Sequence, residues 1–251
     1  PGATGHGKST TLATMIQAVN CTRQAKIVTV EDPIEFVFTH DKSIITQREV
    51  GTDTKSFPEA LRAALRQDPD VIMVGEMRDL ETVDTSLKAA ETGHLVFSTI
   101  HTNDVTSTVN RLLSFFPTEE QLQVRARLAE NLKAVVSLRL LVNKKESGRV
   151  PAIEVMRTTR SIQECIKDPA RTGELVDFMA RGRSERMQTF DQHLFDLVRA
   201  NKIAVETALA AASNPTDFQT RLSLEGAVDV GGSPMEEQPI GRLEIEPDER
   251  F

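Results

Sequence analysis

The eight residues Gly2-Ala3-Thr4-Gly5-His6-Gly7-Lys8-Ser9 fit the pattern G-x-x-x-x-G-K-[ST], and they constrain the fold more tightly than any other stretch of the chain. A loop of this kind wraps the phosphates of a nucleoside triphosphate. Its glycines let backbone N–H groups close on phosphate oxygens, its lysine reaches the β and γ phosphates, and its serine hydroxyl can ligate magnesium. Such a loop sits between a strand, which anchors it, and a helix, whose positive N-terminal end faces the phosphates. Leu12, Met15, Ile16 and Val19 recur at helical spacing, so the loop is expected to feed a helix packed on one face against a sheet. The chain opens at Pro1, without the anchoring strand, so residues 1–251 alone are expected to bind nucleotide weakly.

Downstream, strands and helices alternate. Ala25 to Val30 reads as a strand ending at Glu31-Asp32-Pro33. Ser56-Phe57-Pro58-Glu59 has the S-x-x-E form of a capping box and predicts a helix to about Arg66. Val71-Ile72-Met73-Val74 is apolar without alternation, the mark of a strand covered on both faces, and it delivers Glu76 at its carboxyl end. A helix with Leu80, Val83, Leu87 and Ala90 ends at Gly93, and the strand His94 to Ile100 ends at His101. This alternation predicts an α/β fold with a mostly parallel sheet, whose ligands bind at the carboxyl ends of the strands. Thr118-Glu119-Glu120-Gln121 reads as a second capping box, opening a helix through about Lys133. Val135 to Val142 and Arg149 to Val155 read as strands flanking a hairpin loop, Asn143 to Gly148, where the sheet is expected to end.

From Ser161 the pattern changes to short helices: Ile162 to Lys167, Glu174 to Arg181, Phe190 to Ala200 and Val205 to Ala212. The domains expected are thus 1–157, the nucleotide-binding part, 158–224, a helical subdomain, and 225–251, a disordered acidic tail too poor in apolar residues to offset its ordering entropy. That tail holds eight acidic and two basic side chains, so −6 of the net charge of −7 lies there and the body is nearly neutral. A neutral body gives no electrostatic footing for nucleic acid as a partner. The two cysteines, Cys21 and Cys165, make neither a disulfide framework nor a C-x-x-C pair, which suits a reducing cytosol. No apolar run approaches the roughly 20 residues that span a bilayer.

Val71 to Glu76 has the form of a Walker B strand, with Glu76 either holding a magnesium-bound water or orienting the attacking water. Glu31, Asp32 and Glu35 form a second carboxylate group at another strand end in the same sheet, suited to magnesium or a water nucleophile. His94 and His101 stand seven residues apart, a spacing that changes strand face, so one is expected to be structural while His101 bonds phosphate. Two histidines without further ligands are no zinc site.

Taken together, the phosphate loop, the segment Val30-Glu31-Asp32-Pro33-Ile34-Glu35, the segment Val74-Gly75-Glu76-Met77-Arg78-Asp79 and the segment Gly93 to Asn103 resemble the Walker A, Asp, Walker B and His boxes of the bacterial secretion ATPases of type II secretion and type IV pili. The resemblance runs to about residue 225 and is strongest to the PilT- and PilU-like pilus retraction branch. Two isolated cysteines cannot build the four-cysteine metal site of the assembly branch. The resemblance implies a RecA-like P-loop fold and a homo-hexameric ring that hydrolyses ATP with Mg2+, cytoplasmic but peripheral at the inner membrane. It also implies as partners a PilC-like platform protein and a paralogous motor ATPase. By position it assigns Gly2, Thr4, Gly5, Gly7, Lys8, Ser9, Thr10, Asp32, Glu35 and His101 to nucleotide and its magnesium, and Glu76 and Glu31 to catalysis. Arg62, Arg66, Arg78 and Arg111 are candidates for an arginine acting across subunits. Ser161-Ile162-Gln163-Glu164-Cys165-Ile166-Lys167-Asp168 keeps the isoleucines of the retraction-linked helix but not its arginines, which leaves a PilU-like accessory role open. A regulatory nucleotide-binding subunit and a secretion or assembly ATPase are the other readings. A small-molecule kinase would need a lid or acceptor pocket that the sequence does not show.

Overall fold

The computed structural model describes residues 1–145 and 148–228, with the side chains of 225–228 set aside. Helix α1 (Lys8–Thr22) follows the phosphate loop and buries Leu12 and Ile16. Strand β1 (Lys26–Glu31), strand β2 (Ile44–Glu49), strand β3 (Val71–Val74) and strand β4 (Leu95–Ser98) form one parallel sheet in the order β2-β1-β3-β4. Parallel pairing sets β1 in register with both neighbours, Ile27 facing Ile45 and Val71. The strand ends that carry Glu31 and Glu76 therefore lie side by side. All four residues of β3 are buried, as its unbroken apolar run predicts, whereas the edge strand β4 is half-buried and shorter than expected.

Strand β2 is absent from the sequence reading. Its segment, Ile-Ile-Thr-Gln-Arg-Glu, buries a single residue, Ile45, so an edge strand facing a polar loop leaves no period-2 apolar signal. Helix α2 (Phe57–Ala64) begins at Ser56, whose side chain accepts the Glu59 N–H, a cap worth about 1 kcal/mol. A 3₁₀ turn, Leu65–Gln67, then ends at Asp68 in the left-handed region. Helix α3 (Leu80–Glu91) is capped by Asp79, which accepts both the N–H and the hydroxyl of Thr82. Helix α4 (Val105–Ser114) and helix α5 (Gln121–Asn131) follow. The capping box expected at Thr118 is not there: α5 starts at Gln121, and no side chain caps it.

Strands β5 (Ala134–Val142) and β6 (Arg149–Arg157) make an antiparallel ribbon, the expected hairpin, but as a sheet of its own rather than an extension of the first. Residues 146 and 147 of its loop lie outside the described residues. Helices α6 (Arg160–Lys167), α7 (Leu175–Arg181), α8 (Phe190–Arg199) and α9 (Val205–Ala211) match the four short helices predicted. A tenth helix, α10 (Pro215–Val228), was not expected, and it runs past residue 225, where the acidic tail was expected to begin. The rest of that tail, 229–251, lies outside the described residues.

The ribbon organises the second half of the molecule. Val135 and Met156 join a core made by α3, α4, α5, α6 and α7, so one apolar cluster runs across residue 157. Ala152 joins the core formed by Phe190, Leu194 and Phe195 of α8, Ala208 of α9 and Phe218 of α10. Fully burying a side chain the size of Val135 or Met156 contributes about 1.5–3 kcal/mol, so the ribbon adds to the first core mainly through these two residues.

Candidate functional site

The phosphate loop is built by its glycines and held from outside by β5. Gly2, Gly5 and Gly7 have φ of 144°, 78° and 82°, a region closed to most side chains. Gly2 also has no room: a Cβ there would lie 2.8 Å from the Leu138 carbonyl oxygen. That same strand residue accepts a hydrogen bond from His6 Nδ1 at 3.2 Å and donates its N–H to the Pro1 carbonyl. Gly7, in the left-handed region, serves as the N-cap of α1 and turns the chain into the helix.

Within this loop Lys8 Nζ donates to the carbonyls of Gly2 at 2.7 Å and Ala3 at 3.0 Å. Burial pushes the Lys8 ammonium below its usual pKa, and the charges of Glu76 and Glu35 oppose that shift. Ser9 Oγ donates to Glu35 Oε1 at 2.9 Å. The loop, its lysine and a hydroxyl paired with a carboxylate thus suit a triphosphate and its metal. Magnesium keeps few protein ligands when phosphates supply the others, and among the described residues no group of three or more His, Cys, Asp or Glu could hold a metal ion. Thr4 and Thr10 lie exposed on either side of the loop's end.

Glu76 stands at the carboxyl end of β3 with its side chain 17% exposed. Arg78 Nη2 meets it at 2.7 Å and His101 Nε2 at 3.2 Å. Burial raises the Glu76 pKa, but Arg78 and His101 outweigh it and hold the carboxyl below its usual range. Arg78 also approaches Asp32, at 4.0 Å. The histidine is delivered by a tethered turn: Met77 N–H donates to the Thr99 carbonyl and Thr99 Oγ1 to the Gly75 carbonyl. An open cavity of about 310 Å³ lies beside this group, lined by Glu76, Met77, Arg78, Ile100, His101 and Arg111.

The structure separates residues that the sequence grouped. Glu35 reaches Ser9, whereas Glu31 is buried and accepts from Thr29 Oγ1 at 2.7 Å and Gln47 Nε2 at 3.0 Å. His94 bonds the Ala89 carbonyl and Thr92 Oγ1 at the end of α3, a structural place, while His101 meets a carboxylate. Of the four arginines considered for action across subunits, Arg78 is engaged with Glu76 and Arg62 with Glu81, and Arg111 stacks over Phe115. Gln47 was missed because the strand that carries it was missed, and the partnership of Arg78 with Glu76 has no signature in spacing.

A family model described as "Type II/IV secretion system protein" matches residues 1–209. The chain is 47% identical over 217 residues to the type IV pilus retraction ATPase PilT of Pseudomonas aeruginosa, covering 86% of this chain and 62% of that one. It is 43% identical to the type IV pilus ATPase PilU of the same organism, over 89% of this chain and 58% of the other. A crystal structure of the pilus retraction motor PilT with bound ADP superposes with a TM-score of 0.81 at 48% identity, covering 87% of this chain and 62% of that chain. The chain thus spans about three fifths of the length of these relatives. Matched by the family model from its first residue through β6 and into α9, and 47% identical to PilT over 217 residues, the chain belongs to the type II/IV secretion system protein family.

Proposed function

We propose that this chain is the catalytic part of a hexameric ATPase that drives type IV pilus retraction, acting at the cytoplasmic face of the inner membrane on a PilC-like platform protein, alongside a paralogous motor. The observation that carries this reading is the pairing of two halves of one site: a glycine loop with Lys8 and Ser9, and a carboxylate, Glu76, held ionised by Arg78 and His101. The identity to PilT supports the retraction role.

Lys8 trades its loop carbonyls for phosphate oxygens, a favourable exchange because neutral acceptors give way to charged ones. Ser9, and Glu76 through a water, are the residues that would hold magnesium, which supplies charge neutralisation at the transferring phosphate. Glu76 orients or deprotonates the attacking water, a task for which its lowered pKa keeps it ionised near neutrality. Glu35, bonded to Ser9, and Glu31, behind it, complete the acidic side. Among the described residues no helix is long and apolar enough to cross a membrane.

In the intact protein, Lys8→Ala and Glu76→Gln each abolish magnesium-dependent phosphate release. Undiminished turnover in both variants overturns the ATPase reading, and full activity in a monomer overturns the ring.

A further inference from the structure

Glu35 rides on a stretch without regular structure. Residues 32–43 form no helix or strand, and although Phe38 packs against the core around Leu12, Ile16 and Ile27, the two residues just past Glu35 are exposed, Phe36 at 40% and Val37 at 86%. Polar tethers fix the chain next to Glu35, and one side chain bonds the loop twice and Glu31 at its start once. Gln47, on β2, donates through Nε2 to Glu31 Oε1 at 3.0 Å and to the Phe36 carbonyl at 2.8 Å, while its Oε1 accepts the Phe38 N–H at 2.9 Å. The three partners fix the amide's orientation, since exchanging its oxygen and nitrogen would set a donor against an N–H and an acceptor against both oxygens. Glu49, two residues on and so on the same face of β2, accepts the Ile34 N–H at 2.9 Å. The tethers close the chain on both sides of Glu35, the carboxylate that receives the Ser9 hydroxyl.

We infer that Gln47 is a positioning residue for hydrolysis: it holds the 31–38 segment so that Glu35 meets Ser9 and Glu31 stays buried with its donors. This rests on the ATPase reading above. Gln47 touches neither nucleotide nor metal in this role; it acts through the two glutamates. Displacing a catalytic group by about 1 Å can cost 100-fold in rate, and removing outer-shell partners of a metal site typically costs 10- to 100-fold.

The test is steady-state ATP hydrolysis by the intact protein carrying Gln47→Leu, Glu35→Gln and both changes, with magnesium titrated and ADP binding measured separately. Gln47→Leu lowers kcat 10- to 100-fold and raises the magnesium needed for half-maximal rate, while ADP affinity stays within about twofold. The double variant is no slower than the slower single one, because both changes disable one unit. A kcat within twofold of the parent, or full additivity with Glu35→Gln, overturns the inference. Gln47→Asn covers the case in which the leucine variant does not fold: it keeps the amide but is one methylene short of its three partners, so kcat falls while ADP affinity is kept, and a kcat within twofold of the parent overturns the inference equally. Lys8→Ala, run in parallel, separates the two failures. If it keeps full turnover the ATPase reading falls, whatever Gln47 does.

Discussion

The two halves of the site are satisfied in opposite ways. On the loop side, Lys8 and Ser9 hold neutral carbonyls and an exposed carboxylate, partners that phosphate and metal readily replace. On the carboxylate side, Glu76 is half-enclosed and held by two nitrogen donors, Arg78 and His101, with His101 on a turn tied back to β3. Under the proposed function the first half exchanges partners and the second stays put. This division is what an NTPase needs, because binding must be reversible while the groups that meet developing charge should not reorganise.

The largest effect is expected where the fixed half is broken. Replacing Arg78 and His101 together by alanine leaves Glu76 with burial alone, so its pKa rises. The carboxylate is then lost at a higher pH, and the acid limb of the rate–pH profile moves upward, with kcat at neutrality falling roughly 100-fold or more. An unmoved acid limb in the double variant means that Glu76 is not held by these two groups.

A buried carboxyl behind the same half gives the next effect. Glu154 on β6 accepts the Val105 N–H at 2.8 Å and so pins the start of α4, just past the His101 turn. Burial raises its pKa to about 7, with Asp104 adding to the rise and the Val105 N–H and Arg139 opposing it. The folded state therefore binds this proton more tightly than the unfolded chain. The stabilisation is complete below pH 4.5 and is lost as pH rises through 7, a swing of about 3 kcal/mol. Glu154→Gln removes that swing, so thermal melts at pH 6 and pH 8 converge in the variant, and an unchanged spread counts against the assignment.

The smallest effect belongs to the loop side. Gly2→Ala places a methyl 2.8 Å from the Leu138 carbonyl at a φ of 144°, and relief requires the loop to leave β5. A cost of about 1–3 kcal/mol, with weaker nucleotide binding, is expected in denaturant unfolding and ADP titration. A neutral substitution would show that the loop does not depend on the ribbon.

Some of this was legible in residue order alone. The pattern Gly2 to Ser9, the apolar run of β3 and the helical spacing after each loop are local, and each carries its physics within a few residues. The limits show in one pattern that occurs twice. Thr118 to Gln121 and Thr189 to Gln192 both read T-x-x-Q, yet only the second makes a capping box, with both reciprocal bonds present. Which copy caps depends on where the preceding chain is held, and that is not a local property. Edge strand β2 hid for the same kind of reason: its buried partners are a loop and a neighbouring strand, not an apolar face of its own.

Sequence by itself determined the kind of chemistry and the elements that carry it, because phosphate binding and parallel-strand burial demand particular residues at fixed short spacings. Tertiary structure alone decided the pairings: Arg78 and His101 on Glu76, Glu35 on Ser9, Gln47 on Glu31, and Leu138 against Gly2. Except for Arg78 and Glu76, which share one loop, those contacts join residues on different strands and loops, and a hydrogen bond depends on distances of a few tenths of an ångström that only the packed fold sets.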